Sequence, residues 1–228
     1  VRGAVADGET SWMDGGYGKL RVGGDRGGDA NLSGLARGVV EWRPQLSWNL
    51  DSVVSLQADS DLWPAIDLVE AYFDYRGPPT DGWRIDGRVG LFYPPISLEH
   101  DGPGWTTTAT LTPSAINSWI GEEVKVVGGE VSARHTFGND QFLSVSAALF
   151  GYNDTSGTLL AFRGWALGDV TPGISSRLQL PDGLFQDFTR ITFELDDRVG
   201  YYAQVRYRPI GNLNLDLTHY DNNGDRVS

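Results

Sequence analysis

The chain has 228 residues, a formal charge of −12, no cysteine, 30 glycines and eight tryptophans. The missing cysteines exclude a disulfide framework, a thiolate metal site and a cysteine nucleophile. The acidic balance excludes nucleic acid as the natural partner, because a phosphate backbone is met by a basic surface. Apolar runs such as Leu159–Phe162 reach only four residues, and a membrane helix needs roughly 20.

Two-residue alternation, the mark of a strand with two unlike faces, recurs along the chain. It begins weakly near 17–22 and is clear in 37–43 and 49–58, where Val40 and Trp42, then Val54, Leu56 and Ala58, share a face. In 66–76, Val69, Ala71, Phe73 and Tyr75 oppose Glu70, Tyr72, Asp74 and Arg76. In 83–93, Trp83, Ile85, Gly87, Val89, Leu91 and Tyr93 oppose Arg84, Asp86, Arg88, Gly90 and Phe92. A strand of that length rises about 33 Å, or roughly 23 Å along the membrane normal when tilted. This approaches the apolar band of about 25 Å of an outer-membrane barrel. In 124–137, Val127, Gly129, Val131, Ala133 and Phe137 oppose Glu130, Ser132, Arg134 and Thr136. Leu143, Val145, Ala147 and Leu149 mark 141–152. In 199–208, Tyr201, Ala203, Val205 and Tyr207 oppose Tyr202, Gln204, Arg206 and Arg208, and Leu213, Leu215 and Leu217 close the pattern in 213–220. Residues 188–195 read equally as an extension of the 199–208 strand or as a separate strand in a loop.

The connections alternate in length. Short turns fall at 44–48, 77–81, 138–140 and 209–212, and three of them follow aromatic-Arg-Pro or aromatic-Arg-Gly-Pro. Proline ends a ladder because it cannot donate, and an aromatic just inside the turn suits a membrane interface. Trp42, Tyr75, Trp83, Tyr93, Phe137 and Tyr207 are the interface candidates. Longer connections occupy 23–36, 94–123 and 153–198. Short turns on one side and long loops on the other are the asymmetry of bacterial outer-membrane barrels. The expected fold is therefore all-β: an antiparallel transmembrane β-barrel in a single domain, residues 1–228. About nine or ten strands are counted, so the barrel is expected to continue beyond Ser228 toward about 16–18 strands.

Gly90-Leu91-Phe92-Tyr93-Pro94-Pro95-Ile96-Ser97-Leu98-Glu99 resembles the strand-to-loop segment of the phosphate- and polyphosphate-selective porin family. The stretches 112–123 and 198–202 are similar to other porin-like proteins of proteobacteria. The resemblance implies a passive outer-membrane pore, a homotrimer as the assembly, and an anion preference set by basic lumen residues and an infolded loop. The implied partners are outer-membrane lipid and small hydrophilic or anionic solutes.

If the charged faces line water, the pore-lining candidates are Glu70, Asp74, Arg76, Arg84, Asp86, Arg88, Glu130, Arg134, Arg206 and Arg208, since rings of charged side chains set selectivity in a pore. Arg163 and Arg177 in the 153–198 loop, and Glu99 in 94–123, are candidates for a constriction. No metal or cofactor is expected: Asp221-Asn222-Asn223-Gly224-Asp225 has part of a calcium-loop spacing but no downstream bidentate Glu. No enzyme is expected either, because the histidines His100, His135 and His219 are scattered and no nucleophile or metalloprotease motif is present. Two rivals to the channel stay open, a secreted carbohydrate-binding β-sandwich and a non-conducting barrel acting as receptor or structural partner. The alternation also predicts opposite outcomes for neighbours, with Val89→Arg impairing assembly and Gly90→Arg leaving folding intact.

Overall fold

The computed structural model describes residues 1–25, 27, 29–110, 112–114, 116–117, 124–138, 140–164, 169–211 and 213–224. Part of the 112–123 stretch, and Asp225, therefore lie outside the described residues. The strands are β1 (Arg2–Ala6), β2 (Asn31–Leu35), β3 (Arg37–Trp42), β4 (Gln45–Ser47), β5 (Leu50–Asp59), β6 (Ile66–Arg76), β7 (Trp83–Phe92), β8 (Val126–Thr136) and β9 (Phe142–Gly151). A short helix α1 (Thr158–Arg163) follows, then β10 (Leu178–Gln179), β11 (Phe188–Thr189), β12 (Gly200–Arg208) and β13 (Leu215–Asp221).

Nine of these form one antiparallel sheet in the order β13-β12-β9-β8-β7-β6-β5-β3, with β4 also on β5. Each strand hydrogen-bonds to its neighbour in the chain's own order, so the sheet is an up-and-down meander. It is open among the described residues, with β3 and β13 as its edges. Two small pairs, β1 with β2 and β10 with β11, stand apart from it.

The register sorts side chains into unlike rows, because facing residues in a ladder share a face. One row runs Ile85, Ala133, Val145, Val205, Leu217 and the adjacent row Arg84, Arg134, Ser144, Arg206, Asp216. The first row belongs to a face that is apolar and uncovered: Val131 is 62% exposed, Leu149 65% and Leu217 75%. The second row belongs to the inner face. There Phe92, Val126, Ala148, Phe150 and Tyr202 pack as a buried cluster toward the long-loop ends of the strands. A separate core of Trp12, Leu62, Leu159, Val170, Leu178, Leu180 and Ile191 joins the N-terminal segment, the β5–β6 turn and the 153–198 segment. That core fastens this long connection through Leu159, Val170, Leu178, Leu180 and Ile191.

Three local expectations are corrected, and the open reading of 188–195 falls to a strand within the loop. Residues 17–22 form bends with a single bridge, Gly18 to Ser11, rather than a strand, and the segment lies so close to 9–11 that a Cβ on Gly18 would stand 2.7 Å from the Thr10 carbonyl oxygen. Only Phe188–Thr189 of the 188–195 segment is strand, paired with Leu178–Gln179. Val69 is fully buried, because the β5–β6 register shifts between Ser55 and Leu56 and turns Val69 away from the apolar face. Tyr93 is not at an interface: it lies past the end of β7, is 2% exposed, and stacks on Trp105. The other five interface candidates, Trp42, Tyr75, Trp83, Phe137 and Tyr207, are exposed near the short turns.

Gly90 is the fourth correction. Its φ is +137°, where side chains are strained, and a Cβ would stand 2.3 Å from the Ala71 carbonyl oxygen. Glycine lets β7 pass close to β6 here. Gly90→Ala should therefore lower the midpoint of urea denaturation in detergent by an amount equivalent to about 1–3 kcal/mol. Gly38→Ala, where nothing lies within 4 Å of the new Cβ, should leave it unchanged. Equal midpoints for the two variants would show that Gly90 carries no constraint.

Candidate functional site

The inner face of the sheet gathers most of the charges picked out in the sequence, and register decides their partners. Arg88 and Glu130 face each other across β7 and β8, with Nε 3.0 Å from the carboxylate. Tyr202 on β12 donates its hydroxyl to the same carboxylate, Arg88 Nη2 donates to Tyr202 Oη at 3.3 Å, and the guanidinium sits 4.1 Å from the Phe92 ring centroid. Arg206 pairs with Asp216 across β12 and β13. Arg84 bonds Asp86 at 2.8 Å, and Arg76 bonds Asp74 at 3.0 Å and Asp51 at 3.3 Å. Partners two apart on one strand reach each other because they share a face.

Arg134 and Arg208 have no carboxylate partner among the described residues. Both lie over the Phe142 ring, at 4.4 and 4.9 Å, and Arg208 Nε donates to Asn214 Oδ1 at 2.8 Å. Arg84 stands directly opposite Arg134. On β5 to β13 the short-turn end of this face thus carries five guanidiniums (Arg76, Arg84, Arg134, Arg206, Arg208) against four carboxylates (Asp51, Asp74, Asp86, Asp216), a small local excess of positive charge in an acidic chain.

In the adjoining row Asp86 faces Ser132, and from there the row runs uncharged through Ser146, Gln204 and Thr218. Gln204 Nε2 donates to the Pro95 carbonyl at 2.8 Å and to Thr218 Oγ1 at 3.0 Å. It holds the first residues after β7 against the inner face. Sequence reasoning missed Gln204, since an uncharged polar residue on the polar face carries no signal beyond its parity.

Glu70 is buried rather than open to the face, 9% exposed, and accepts from the Tyr93 backbone N–H at 3.5 Å. Near it lies Lys125, just ahead of β8, with a 0% exposed side chain whose Nζ donates to the Pro172 carbonyl at 2.5 Å and stands 4.9 Å from the Tyr93 ring centroid. Burial pushes its ammonium down to about 7, against the pull of Glu70 and Asp67. Sequence reasoning noted Lys125 only as a rare lysine, because nothing local marks a residue that the tertiary fold encloses.

The constriction candidates are placed in the loops. Arg163 lies 3.9 Å from the Trp12 ring centroid, buried in the N-terminal core. Arg177 lies over Trp63 at 4.0 Å and Phe188 at 4.6 Å. Glu99 accepts from the Ser114 backbone N–H at 2.6 Å, and its contacts with Ser114 hold the carboxyl below the usual range. Aromatic rings and loop backbone are thus the neighbours of these three groups.

In the long loop Asp154, Glu194 and Asp196 bring carboxylate oxygens within 4.8 Å of one another. Backbone N–H groups of Tyr152, Leu195 and Asp196 donate into Glu194 and Asp154. Burial and the adjoining Asp154 carboxyl raise Glu194 above the ordinary range. The cluster is a loop fastening that its own hydrogen bonds explain.

A search against protein-family models finds no match, and comparisons with curated proteins and with solved structures find none either.

Two outcomes are expected. Arg88 and Glu130 are only 18% and 13% exposed, so Glu130→Ala should destabilise by about 3 kcal/mol through the stranded guanidinium. Arg88→Met with Glu130→Leu should recover most of that loss in the urea midpoint. For Lys125 the folded state holds its proton less tightly than the unfolded state, so between pH 7 and the ordinary lysine range near 10.5 the unfolded chain binds more protons. Stability contributed by this group therefore rises with pH across that window. Lys125→Met should flatten the rise; parallel pH profiles for the two proteins would refute the assignment.

Proposed function

We propose that the chain builds the wall of an outer-membrane β-barrel channel that passes small hydrophilic or anionic solutes by diffusion. The observation that carries this reading is the division of one long antiparallel meander into an apolar face open along every strand and an inner face of paired charges. Soluble monomers rarely expose contiguous apolar patches above a few hundred Å², whereas lipid needs that surface to be apolar. Hydrogen bonding within the sheet meets the second demand of a bilayer, since backbone groups have no water to turn to there. Closure of the barrel beyond the two sheet edges belongs to the proposal.

Exposed Trp42, Tyr75, Trp83, Phe137 and Tyr207 near the short turns support a belt at one membrane interface. The excess of guanidiniums at the same end supports a preference for anions over cations. Mutual neutralisation elsewhere keeps the inner face wet without a large field. Among the described residues no second sheet covers the apolar face, which weighs against the carbohydrate-binding sandwich. No covalent step is part of this function.

Two measurements test it. Val89 is 57% exposed on the apolar face. Val89→Arg should cost about 2–4 kcal/mol of folding stability in lipid if the site lies near the bilayer midplane, whereas an exposed position on a soluble protein shifts by about 0.5 kcal/mol or less. An unchanged midpoint would remove the face from the membrane. Protein showing heat-modifiable gel mobility, inserted into a planar bilayer, should give discrete conductance steps with anions favoured. A silent bilayer from folded protein would reduce the proposal to a non-conducting barrel.

A further inference from the structure

A cavity of about 330 Å³ lies where β3 meets the 93–107 segment and residues 169–171. Its wall includes Arg21, Arg37, Tyr93, His100, Trp105 and Asp169. Arg37 donates from Nη1 to the Asp169 carbonyl at 3.4 Å, while Nε and Nη2, the side-on edge of the guanidinium, are closed off from solvent and have no hydrogen-bond partner. No carboxylate forms an ion pair with Arg37 among the described residues. Arg21, its side chain 4% exposed, gives Nη2 to Asp59 and Nε to Asp61 at 3.0 Å, which leaves Nη1 without a partner.

Trp105 supplies another donor. Its indole is held between Tyr93, at 4.2 Å, and His100, at 4.8 Å, in nearly parallel stacks. Both ring faces are taken, and the buried Nε1–H has no partner. Burial lowers the His100 pKa. Three residues thus bring unmet buried donors to one cavity, and a buried donor without an acceptor is unfavourable until one arrives. The complement of such a wall is an oxyanion.

The kind of oxyanion follows from shape and charge. Two parallel N–H groups on one guanidinium edge match the two coplanar oxygens of a carboxylate. Asp59 and Asp61 together outweigh Arg21, and Asp169 stands close by, so a dianion is disfavoured relative to a single negative charge. The remaining wall includes Thr106, Thr107, Thr110 and Thr171; the first three hydroxyls donate to the carbonyls of Pro103, Thr110 and Thr112, which leaves their oxygens as acceptors for the hydroxyls of a hydroxylated body. We propose that this cavity binds a small monocarboxylate of the sugar-acid class, its carboxylate on the Arg37 Nε–Nη2 edge after a small turn of that side chain. The assignment rests on the channel reading for the route by which the solute arrives, and it makes the cavity a specificity site at the long-loop end.

The test is calorimetric titration of the full chain, folded in detergent, with gluconate, glucose and inorganic phosphate. Gluconate should bind saturably and glucose should not. Arg37→Met should weaken gluconate at least about tenfold, and Trp105→Phe, which keeps the ring stack but removes the N–H, should weaken it severalfold, both with heat-modifiable mobility intact. Gluconate bound equally by wild type and Trp105→Phe, or by wild type and folded Arg37→Met, would overturn the proposal, as would no gluconate binding at all. Tighter binding of phosphate than of gluconate would overturn the carboxylate assignment. Conductance on the same preparations keeps the two readings apart: a conducting protein that ignores gluconate loses only this site, and a silent one that binds it loses only the channel.

Discussion

An antiparallel ladder with one largely apolar face, interrupted by His135 on β8 and by His219 and Asp221 on β13, imposes the condition on which everything else here depends. Consecutive strands from β3 to β13 satisfy one another's backbone groups, so the sheet needs no further hydrogen bonds along its length. Its apolar side chains have no such internal answer. At about 25 cal/mol per Å², a face built from residues such as Val131, Leu149 and Leu217 strongly favours leaving water. A soluble protein would bury it beneath a second layer, yet the protein's other cores lie elsewhere, one on the inner face and one under the long loops. On the channel proposal, lipid is the cover that makes this arrangement favourable.

The inner face follows from the same condition, reversed. Charges are kept off the apolar face and gathered on the other, where a partly buried ion left unpaired is expensive. Register pairs Arg88 with Glu130 and Arg206 with Asp216, and spacing along one strand pairs Arg84 with Asp86. Arginine suits these positions because its fork can hold a carboxylate while its flat stem covers a ring, as Arg88 does over Phe92. The departures from pairing are localised: Arg134 and Arg208 at the short-turn end, Arg37 at the other.

What could be read from sequence was whatever depends on parity. The strands from 37 onward fall within a few residues of their expected positions because a two-residue period is written directly into the order of side chains. Parity fails where the backbone departs from regular pleating. A register shift hides Val69, and the positive φ of Gly90 precedes the turn that takes Tyr93 inward. The cavity under the long loops was illegible for another reason. Arg37, Trp105 and Asp169 are distant in the chain, and only the docking of two connections against β3 brings them together.

The edges of the sheet extend the argument. An unpaired strand edge is a template for another strand, and soluble proteins blunt it with lysine, proline, bulges or covering segments. At β3 the chain supplies some of this through Pro44 and the irregular register of β4 against β5. At β13 it supplies little: Leu215, Leu217, His219 and Asp221 alternate with Asp216, Thr218 and Tyr220, with neither lysine nor proline among them. The partner that suits β13 must itself be a strand with the same alternation, because a one-residue slip would put charge against the apolar face. The division of faces therefore also dictates what can pair at this edge: a strand that is apolar on one side and polar on the other, in register with the row from Ile85 to Leu217.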